Sequence, residues 1–224
     1  MITQFKDYTN DQQPQAQEEF DHVIIENKGI YPKRMMVFEN YWSDSFFNSH
    51  SNQSCKPFLE NIGQLIGEQV TVGHKYINSK SDLLYCLGDS GVIWDHPETF
   101  SVCYFGLHGS KKGFQLTQGL ISKKEILKMC KRFGDFPNIL YFGSCSLFKD
   151  DDQFGYDLLS TGTRGVLGFK KNVPFAYGCL IDLCFLCTLF LFKNGDPFKN
   201  LKGIYDAVIE EMLPAKELGF TLYC

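Results

Sequence analysis

The sequence lacks any long run of basic residues. No run is longer than two, as in Lys111-Lys112 and Lys123-Lys124, and the 224-residue chain has a formal net charge of −4. Domains that bind nucleic acids concentrate Lys and Arg on one face, where they contact phosphates. We therefore predict no nucleic-acid partner. With 44% hydrophobic and 21% charged residues, the composition is that of an ordinary soluble globular protein.

The sequence also lacks the features of a secreted, disulfide-rich or metal-binding protein. The first twenty residues hold no apolar segment of the kind that forms a secretory signal. The nine cysteines are odd in number and several, including Cys103 and Cys179, lie in apolar runs, so we expect reduced thiols in a cytoplasmic protein. Cys184 and Cys187 form one C-x-x-C pair without the second pair that such a zinc site needs. We predict no metal and no other cofactor.

The sequence lacks an uninterrupted apolar run that could span a membrane. The longest, residues 173–192, has about the length of a span, but Asp182 lies near its middle, together with Pro174 and Gly178. A lipid-facing carboxylate is costly. We expect a fully buried helix that packs against a sheet, and no membrane association.

Three common enzyme motifs are missing. The chain has no G-x-G-x-x-G loop and no Walker loop, and segment 143–146 (Gly-Ser-Cys-Ser) has the wrong spacing for a G-x-S-x-G nucleophile elbow. These absences argue against a nucleotide-binding doubly wound protein and against an α/β hydrolase.

The chain is organised as a polar arm followed by one domain. Residues 1–21 are rich in Gln, Asp and Glu without apolar periodicity, and we expect a flexible arm there and a single domain over 22–224. Helical segments alternate with predicted strands, and Ser122 with Glu125 forms a capping box. Alternation of this kind predicts an α/β fold, a three-layer α/β/α sandwich with a mostly parallel sheet. The predicted strands are 34–42, 69–77, 100–107, 139–142 and 165–169, and residues 113–116 and 119–121 are predicted to form a small hairpin.

Two of these strands end in residues that can carry out chemistry. The apolar run 100–107 leads directly into His108, and the run 139–142 leads through small residues to Cys145. Ligands bind at the carboxyl ends of strands in open α/β sheets. If the two strands are neighbours, a base and a thiol meet at one edge of the sheet, which is the pairing that nucleophilic catalysis requires.

The two strand ends resemble those of the caspase-like (clan CD) cysteine peptidases, a group that includes caspases, metacaspases, separases, gingipains and CHAT proteases. The resemblance rests on Phe-Gly-Leu-His-Gly at 105–109, Leu-Tyr-Phe-Gly-Ser-Cys-Ser at 140–146 and Gly-Val-Leu-Gly-Phe at 165–169, and covers about 34–192. It implies the caspase-like fold, with Cys145 as the nucleophile and His108 as the general base. It also implies an oxyanion hole made of the backbone N–H groups of Gly109 and Cys145.

One position departs from this pattern. Metacaspases carry an Asp two residues before the catalytic Cys, where it recognises a basic residue, and this chain has Gly143 there. That position therefore gives no support for a preference for Arg or Lys. The acids Asp150, Asp151 and Asp152 could bind substrate instead, and the alternative is that they form a solvated loop.

The resemblance implies a cysteine endopeptidase that cuts a protein or peptide substrate. Since the sequence contains no evident sensor domain, we expect activation by a partner protein or a cofactor outside the chain. The alternative is a catalytically inactive caspase-like module that binds other proteins. We favour the enzyme, because both His108 and Cys145 are present.

Overall fold

The computed structural model describes residues 33–40, 54–87, 101–133, 139–193 and 195–224. The predicted arm over 1–21 lies outside these residues, so the domain boundary at residue 22 stays a prediction.

The described residues form nine strands in two sheets. Six strands make the central sheet, in the order β2-β1-β3-β7-β8-β9, and all its neighbouring pairs are parallel except β8 with β9. The other three form a small antiparallel sheet, β4-β5-β6. The strands are β1 Arg34–Glu39, β2 Thr71–Tyr76, β3 Val102–Gly106, β4 His108–Ser110, β5 Gly113–Leu116, β6 Gly119–Ser122, β7 Ile139–Tyr141, β8 Gly165–Phe169 and β9 Phe220–Tyr223.

Helices connect the parallel strands, because a parallel pair cannot be joined by a tight turn. A short 3₁₀ helix, Pro197–Asn200, precedes α7. The α-helices of the described residues are α1 Lys56–Glu60, α2 Ile62–Ile66, α3 Lys80–Leu87, α4 Lys123–Phe133, α5 Asp152–Leu159, α6 Phe175–Leu191, α7 Leu201–Glu211 and α8 Leu213–Glu217.

The central sheet separates two hydrophobic cores. Successive strand residues point to opposite faces, so Met36 and Phe38 of β1 join one core whereas Met35 and Val37 join the other. The first core also holds buried residues of α3, α4 and α5, and the second holds those of α1, α6 and α7. This arrangement confirms the predicted α/β/α sandwich with a mostly parallel sheet.

The predicted capping box forms at the start of α4. The backbone N–H of Ser122 donates to Glu125 Oε2 at 2.9 Å, and the N–H of Glu125 donates back to Ser122 Oγ at 3.3 Å. Asp151 caps α5 in a similar way, accepting from the N–H of Phe154 at 3.2 Å. Side-chain acceptors of this kind bind N–H groups that have no partner within the first helical turn.

The helix predicted inside 173–192 is present as α6, but the expectation that it is fully buried is wrong. Tyr177 and Leu180 are about half exposed, at 50% and 55%, and Cys184 and Cys187 are only partly buried. The helix covers one face of the sheet, so its opposite face remains accessible. No helix in the described part of the chain combines the length and apolarity needed to span a bilayer.

Candidate active site

The strand ends that carry the candidate dyad are adjacent. β3 pairs directly with β7, with Tyr104 opposite Tyr141, so both chains leave the sheet at the same edge. His108 follows β3 after one residue and begins β4, while Cys145 lies in the turn after β7. The prediction that the two strands end side by side is confirmed.

His108 and Cys145 line the same pocket, which has a volume of about 180 Å³. Both side chains are partly buried, and Nε2 of His108 is inaccessible to solvent. Other walls come from Val173, which follows β8, and from the first two turns of α6. The structure therefore brings the predicted base and the predicted nucleophile to one concave site.

Gly109 lies directly against the backbone of the candidate nucleophile. A Cβ atom at position 109 would lie 2.3 Å from the carbonyl oxygen of Cys145 and 2.9 Å from its nitrogen. Real Cβ atoms do not approach backbone atoms so closely. Only glycine allows the start of β4 to pack this tightly against the turn that carries Cys145.

The thiol of Cys145 contacts the backbone of Val173. The N–H of Val173 donates to Sγ at 3.3 Å, and the thiol donates to the carbonyl oxygen of Val173 at 3.5 Å. The turn itself is tied down on both sides, since Ser144 Oγ donates to the Phe105 carbonyl at 3.1 Å and the Ser146 N–H donates to the Lys171 carbonyl at 2.9 Å. The position of the thiol is thus fixed by the end of β3 and by the segment after β8.

Position 143, where metacaspases carry an Asp, is a glycine for a steric reason. A Cβ at this position would lie 2.1 Å from the hydroxyl oxygen of Tyr104. The Tyr104 ring therefore fills the space next to Gly143, and the same ring lines the pocket.

The pocket nevertheless contains a carboxylate, that of Asp182 from α6. Asp182 is 3% exposed, and it accepts hydrogen bonds from Tyr104 Oη at 2.6 Å and from Tyr141 Oη at 2.5 Å. Burial raises the pKa of Asp182 from 3.8 to about 6, and the two tyrosine hydrogen bonds act in the opposite direction. In the sequence, Asp182 indicates only that residues 173–192 do not span a membrane, and its place in the site was not predicted.

A second buried carboxylate, that of Glu39, positions the pocket residue Cys55. Glu39, at the end of β1, accepts from the N–H of Cys55 at 2.6 Å, from Ser54 Oγ at 2.8 Å and from His74 Nε2 at 2.9 Å. Burial acts to raise the pKa of Glu39, but the hydrogen bonds from His74, Cys55 and Ser54 outweigh it, so the pKa is lowered. These bonds fix Cys55, which lines the pocket. The roles of Glu39 and His74 were not predicted from the sequence.

The three acids predicted as candidates for substrate binding lie elsewhere. Asp151 caps α5 and forms an ion pair with Lys123 at 2.8 Å, and Asp152 pairs with Lys170 at 2.6 Å. Asp150 is exposed in a turn with a φ of +54°. None of the described residues that line the pocket is one of these three.

The cysteines differ in their surroundings. All nine lie within the described residues and are free, but only Cys224 is exposed. Burial raises the pKa of Cys130 and Cys179 to about 12 and that of Cys103 well above its ordinary value. Within the described residues, no group of three or more His, Cys, Asp or Glu is arranged to hold a metal ion.

No family model and no curated protein matches the sequence. Among solved structures, the fold is similar to a secreted C11 cysteine protease from Bacteroides thetaiotaomicron in complex with an irreversible peptide inhibitor, at 11% identity and a TM-score of 0.48 over 81% of this chain and 60% of that chain. It is also similar to the complex of the pro- and mature domains of RgpB from Porphyromonas gingivalis, at 13% identity and a TM-score of 0.45 over 86% and 47% of the two chains. The protein thus spans about half to three fifths of the length of these proteases. A similarity of this size does not bear on activity or specificity.

Proposed function

We propose that the protein is a cysteine endopeptidase of caspase-like type, with His108 and Cys145 as its catalytic dyad. The observation that carries the proposal is the shared pocket: His108 and Cys145 leave neighbouring strands and line one concave site. The tight approach of Gly109 to the Cys145 backbone supports it, because an oxyanion hole requires main-chain N–H groups beside the nucleophile.

The mechanism follows from these positions. His108 accepts the Cys145 proton, and the thiolate attacks the scissile carbonyl carbon. The backbone N–H groups of Gly109 and Cys145 donate to the oxyanion of the tetrahedral intermediate. The His108 proton then passes to the leaving amine, and water hydrolyses the thioester with His108 again acting as base, which restores the thiol. The N–H of Val173, at 3.3 Å from Sγ, stabilises the negative charge of the thiolate before attack.

The substrate is a protein or peptide, and activation comes from a partner protein or a cofactor outside this chain. A role for Asp150, Asp151 and Asp152 in substrate binding stays a prediction, and the capping and ion-pair contacts of the latter two favour a structural role. Nine free cysteines suit a reducing compartment, and we place the protein in the cytoplasm.

Alkylation rates test the dyad without requiring an identified substrate. Under limiting iodoacetamide near neutral pH, we expect Cys145 to react faster than the exposed Cys224, which serves as an internal control for an accessible thiol. The variant His108→Ala should slow the reaction of Cys145 and leave that of Cys224 unchanged. Peptide mass spectrometry measures both rates in one sample.

The same experiment separates the enzyme from a catalytically inactive interaction module. An inactive module predicts that Cys145 reacts no faster than Cys224 and that His108→Ala changes neither rate. Absence of peptide cleavage does not decide between the two, because an activating partner can be missing from the assay. Equal Cys145 rates in the wild type and in His108→Ala would exclude the dyad.

A further inference from the structure

Asp182 is a buried carboxylate without a cationic partner in the described part of the chain. Its two hydrogen-bond donors, Tyr104 and Tyr141, are both neutral hydroxyls. None of the ion pairs among the described residues includes Asp182. Buried charges in proteins are normally paired, because desolvation without a counter-charge is costly. The carboxylate therefore favours a cation that enters from outside.

The carboxylate is accessible from the pocket that holds the dyad. Phe175, Gly178, Cys179 and Asp182 of α6 all line that pocket. Their spacing of i, i+3, i+4 and i+7 places them on one face of the helix, and that face turns toward the pocket that Cys145 also lines. A group bound at Cys145 can thus extend toward Asp182.

The dimensions and walls of the pocket suit an unbranched chain with a compact charge. A volume of about 180 Å³ is several times the space that one water molecule needs, and a lysine side chain has five heavy atoms beyond Cα. Apolar walls, including Phe169, Val173 and Phe175, contact its methylene groups. Because each oxygen of Asp182 already accepts a tyrosine proton, a single ammonium fits better than the planar fork of a guanidinium.

We propose that this pocket is the S1 subsite of the peptidase and selects lysine at P1, with the lysine ammonium bound to the Asp182 carboxylate. The inference rests on the proposed function and adds its substrate class. It assigns Asp182 a direct contact with substrate, which the acid-free position Gly143 does not provide.

Activity-based probes test the proposal. We would compare peptidyl acyloxymethyl ketones that differ only at P1, namely lysine, norleucine, arginine and aspartate, and measure the rate of thioether formation at Cys145 by mass spectrometry. Norleucine has the four-carbon chain of lysine without the ammonium. The variants are Asp182→Asn and, as a matched control, Asp206→Asn, which removes an exposed carboxylate paired with Lys202.

We expect the lysine probe to label wild-type Cys145 about 10- to 100-fold faster than the norleucine probe, as one charge-assisted hydrogen bond allows. Asp182→Asn should abolish this ratio while norleucine labelling persists, and Asp206→Asn should leave the ratio unchanged. Faster labelling by norleucine, arginine or aspartate than by lysine would overturn the proposal. So would an unchanged ratio in Asp182→Asn.

Failure of the proposed function gives a different result: none of the four probes would label wild-type Cys145 faster than the exposed Cys224. If Asp182→Asn does not fold, as judged by its thermal transition, the comparison of lysine with norleucine in the wild type alone decides the matter.

Discussion

The unpaired carboxylate predicts an unusual dependence of stability on pH, which can be measured without any substrate. Asp182 has a pKa raised from 3.8 to about 6 in the folded protein. Between these values the folded state binds more protons than the unfolded state, so the free energy of unfolding falls as pH rises. The stabilisation is fully present below 3.8 and is lost as pH passes through 6.

The magnitude follows from the size of the pKa change. At about 1.4 kcal/mol per pH unit, the rise corresponds to about 3 kcal/mol in total, of which about 1.4 kcal/mol lies between pH 5 and pH 8. The variant Asp182→Asn lacks the titrating group and keeps the side-chain shape. Its amide can accept a hydrogen bond from one of the two tyrosines and donate to the oxygen of the other. We therefore expect Asp182→Asn to gain about 1.4 kcal/mol relative to the wild type as pH rises from 5 to 8.

The other titratable groups around Asp182 have limited influence over this range. Burial raises the pKa of Tyr104 and Tyr141 well above the ordinary tyrosine value, and it raises that of Cys55 well above the ordinary cysteine value and that of Cys179 to about 12. These four groups stay neutral between pH 5 and pH 8.

The assay is urea unfolding, followed by fluorescence at pH 5, 6, 7 and 8 for the wild type, Asp182→Asn and the surface control Asp206→Asn. We expect the control to differ from the wild type by a constant amount within about 0.5 kcal/mol. Because His108 and Cys145 line the same pocket, the comparison is repeated in the His108→Ala background. A difference between Asp182→Asn and the wild type that does not change with pH would refute the reasoning, since it would mean that Asp182 has a counter-charge.

Two further predictions concern the walls of the pocket. Gly109→Ala should reduce peptide-probe labelling of Cys145 by at least about tenfold, because the new Cβ would lie 2.3 Å from the Cys145 carbonyl oxygen. The control Ser110→Ala, at the next residue of β4, should retain the wild-type labelling rate. Equal labelling rates in the two variants would contradict the prediction. His74→Leu should lower the free energy of unfolding by about 1.5–3 kcal/mol at pH 7, because it removes the 2.9 Å hydrogen bond between His74 Nε2 and the buried Glu39 carboxylate. Because the pKa of Glu39 is lowered from 4.5, this loss should diminish as pH falls below 4.5, and equal losses in urea unfolding at pH 7 and pH 4 would argue against it.

The parallel sheet and the meeting of the two strand ends were predictable because both depend on local sequence. Apolar runs of β-branched and aromatic residues specify β3, β7 and β8, and the segment between them is long enough for a crossover helix. Once β3 and β7 are neighbours, the residues that follow them must lie at one edge. His108 and Cys145 were therefore placed together without any knowledge of side-chain packing.

β4 and β9 were not predicted, because each forms only through pairing with another strand. β9 lies antiparallel to β8, with Val166 opposite Tyr223, although 57 positions separate the two residues. The sequence Phe220-Thr221-Leu222-Tyr223 after Gly219 is typical of a strand, and this signal could have been used. β4 is shorter, and it forms because His108–Ser110 pairs with the predicted hairpin at Gly113–Gln115. Three residues carry too little periodicity to be recognised alone.

The position of Asp182 could not be predicted from the sequence, for a different reason. Residues 173–192 are apolar on almost every face, so the pattern does not indicate which side of α6 turns toward the sheet. The answer comes from packing, in which Ile181, Phe185 and Leu189 enter the core beside α7. The docking of that face turns Asp182 toward the two tyrosines and the pocket.

The two buried carboxylates among the described residues have different neighbours and different pKa values. Glu39 and Asp182 are nearly equally inaccessible, at 1% and 3% exposure. Glu39 has a histidine beside it and a lowered pKa, whereas Asp182 has two hydroxyls and a raised one. Hydrogen bonds from His74, Cys55 and Ser54 outweigh the effect of burial on the pKa of Glu39, whereas the two tyrosine hydrogen bonds do not outweigh it for Asp182. The described residues thus place a histidine beside the acid that fixes the pocket wall and only hydroxyl donors on the acid that lines the pocket, which is the distribution expected if a cation arrives with the substrate.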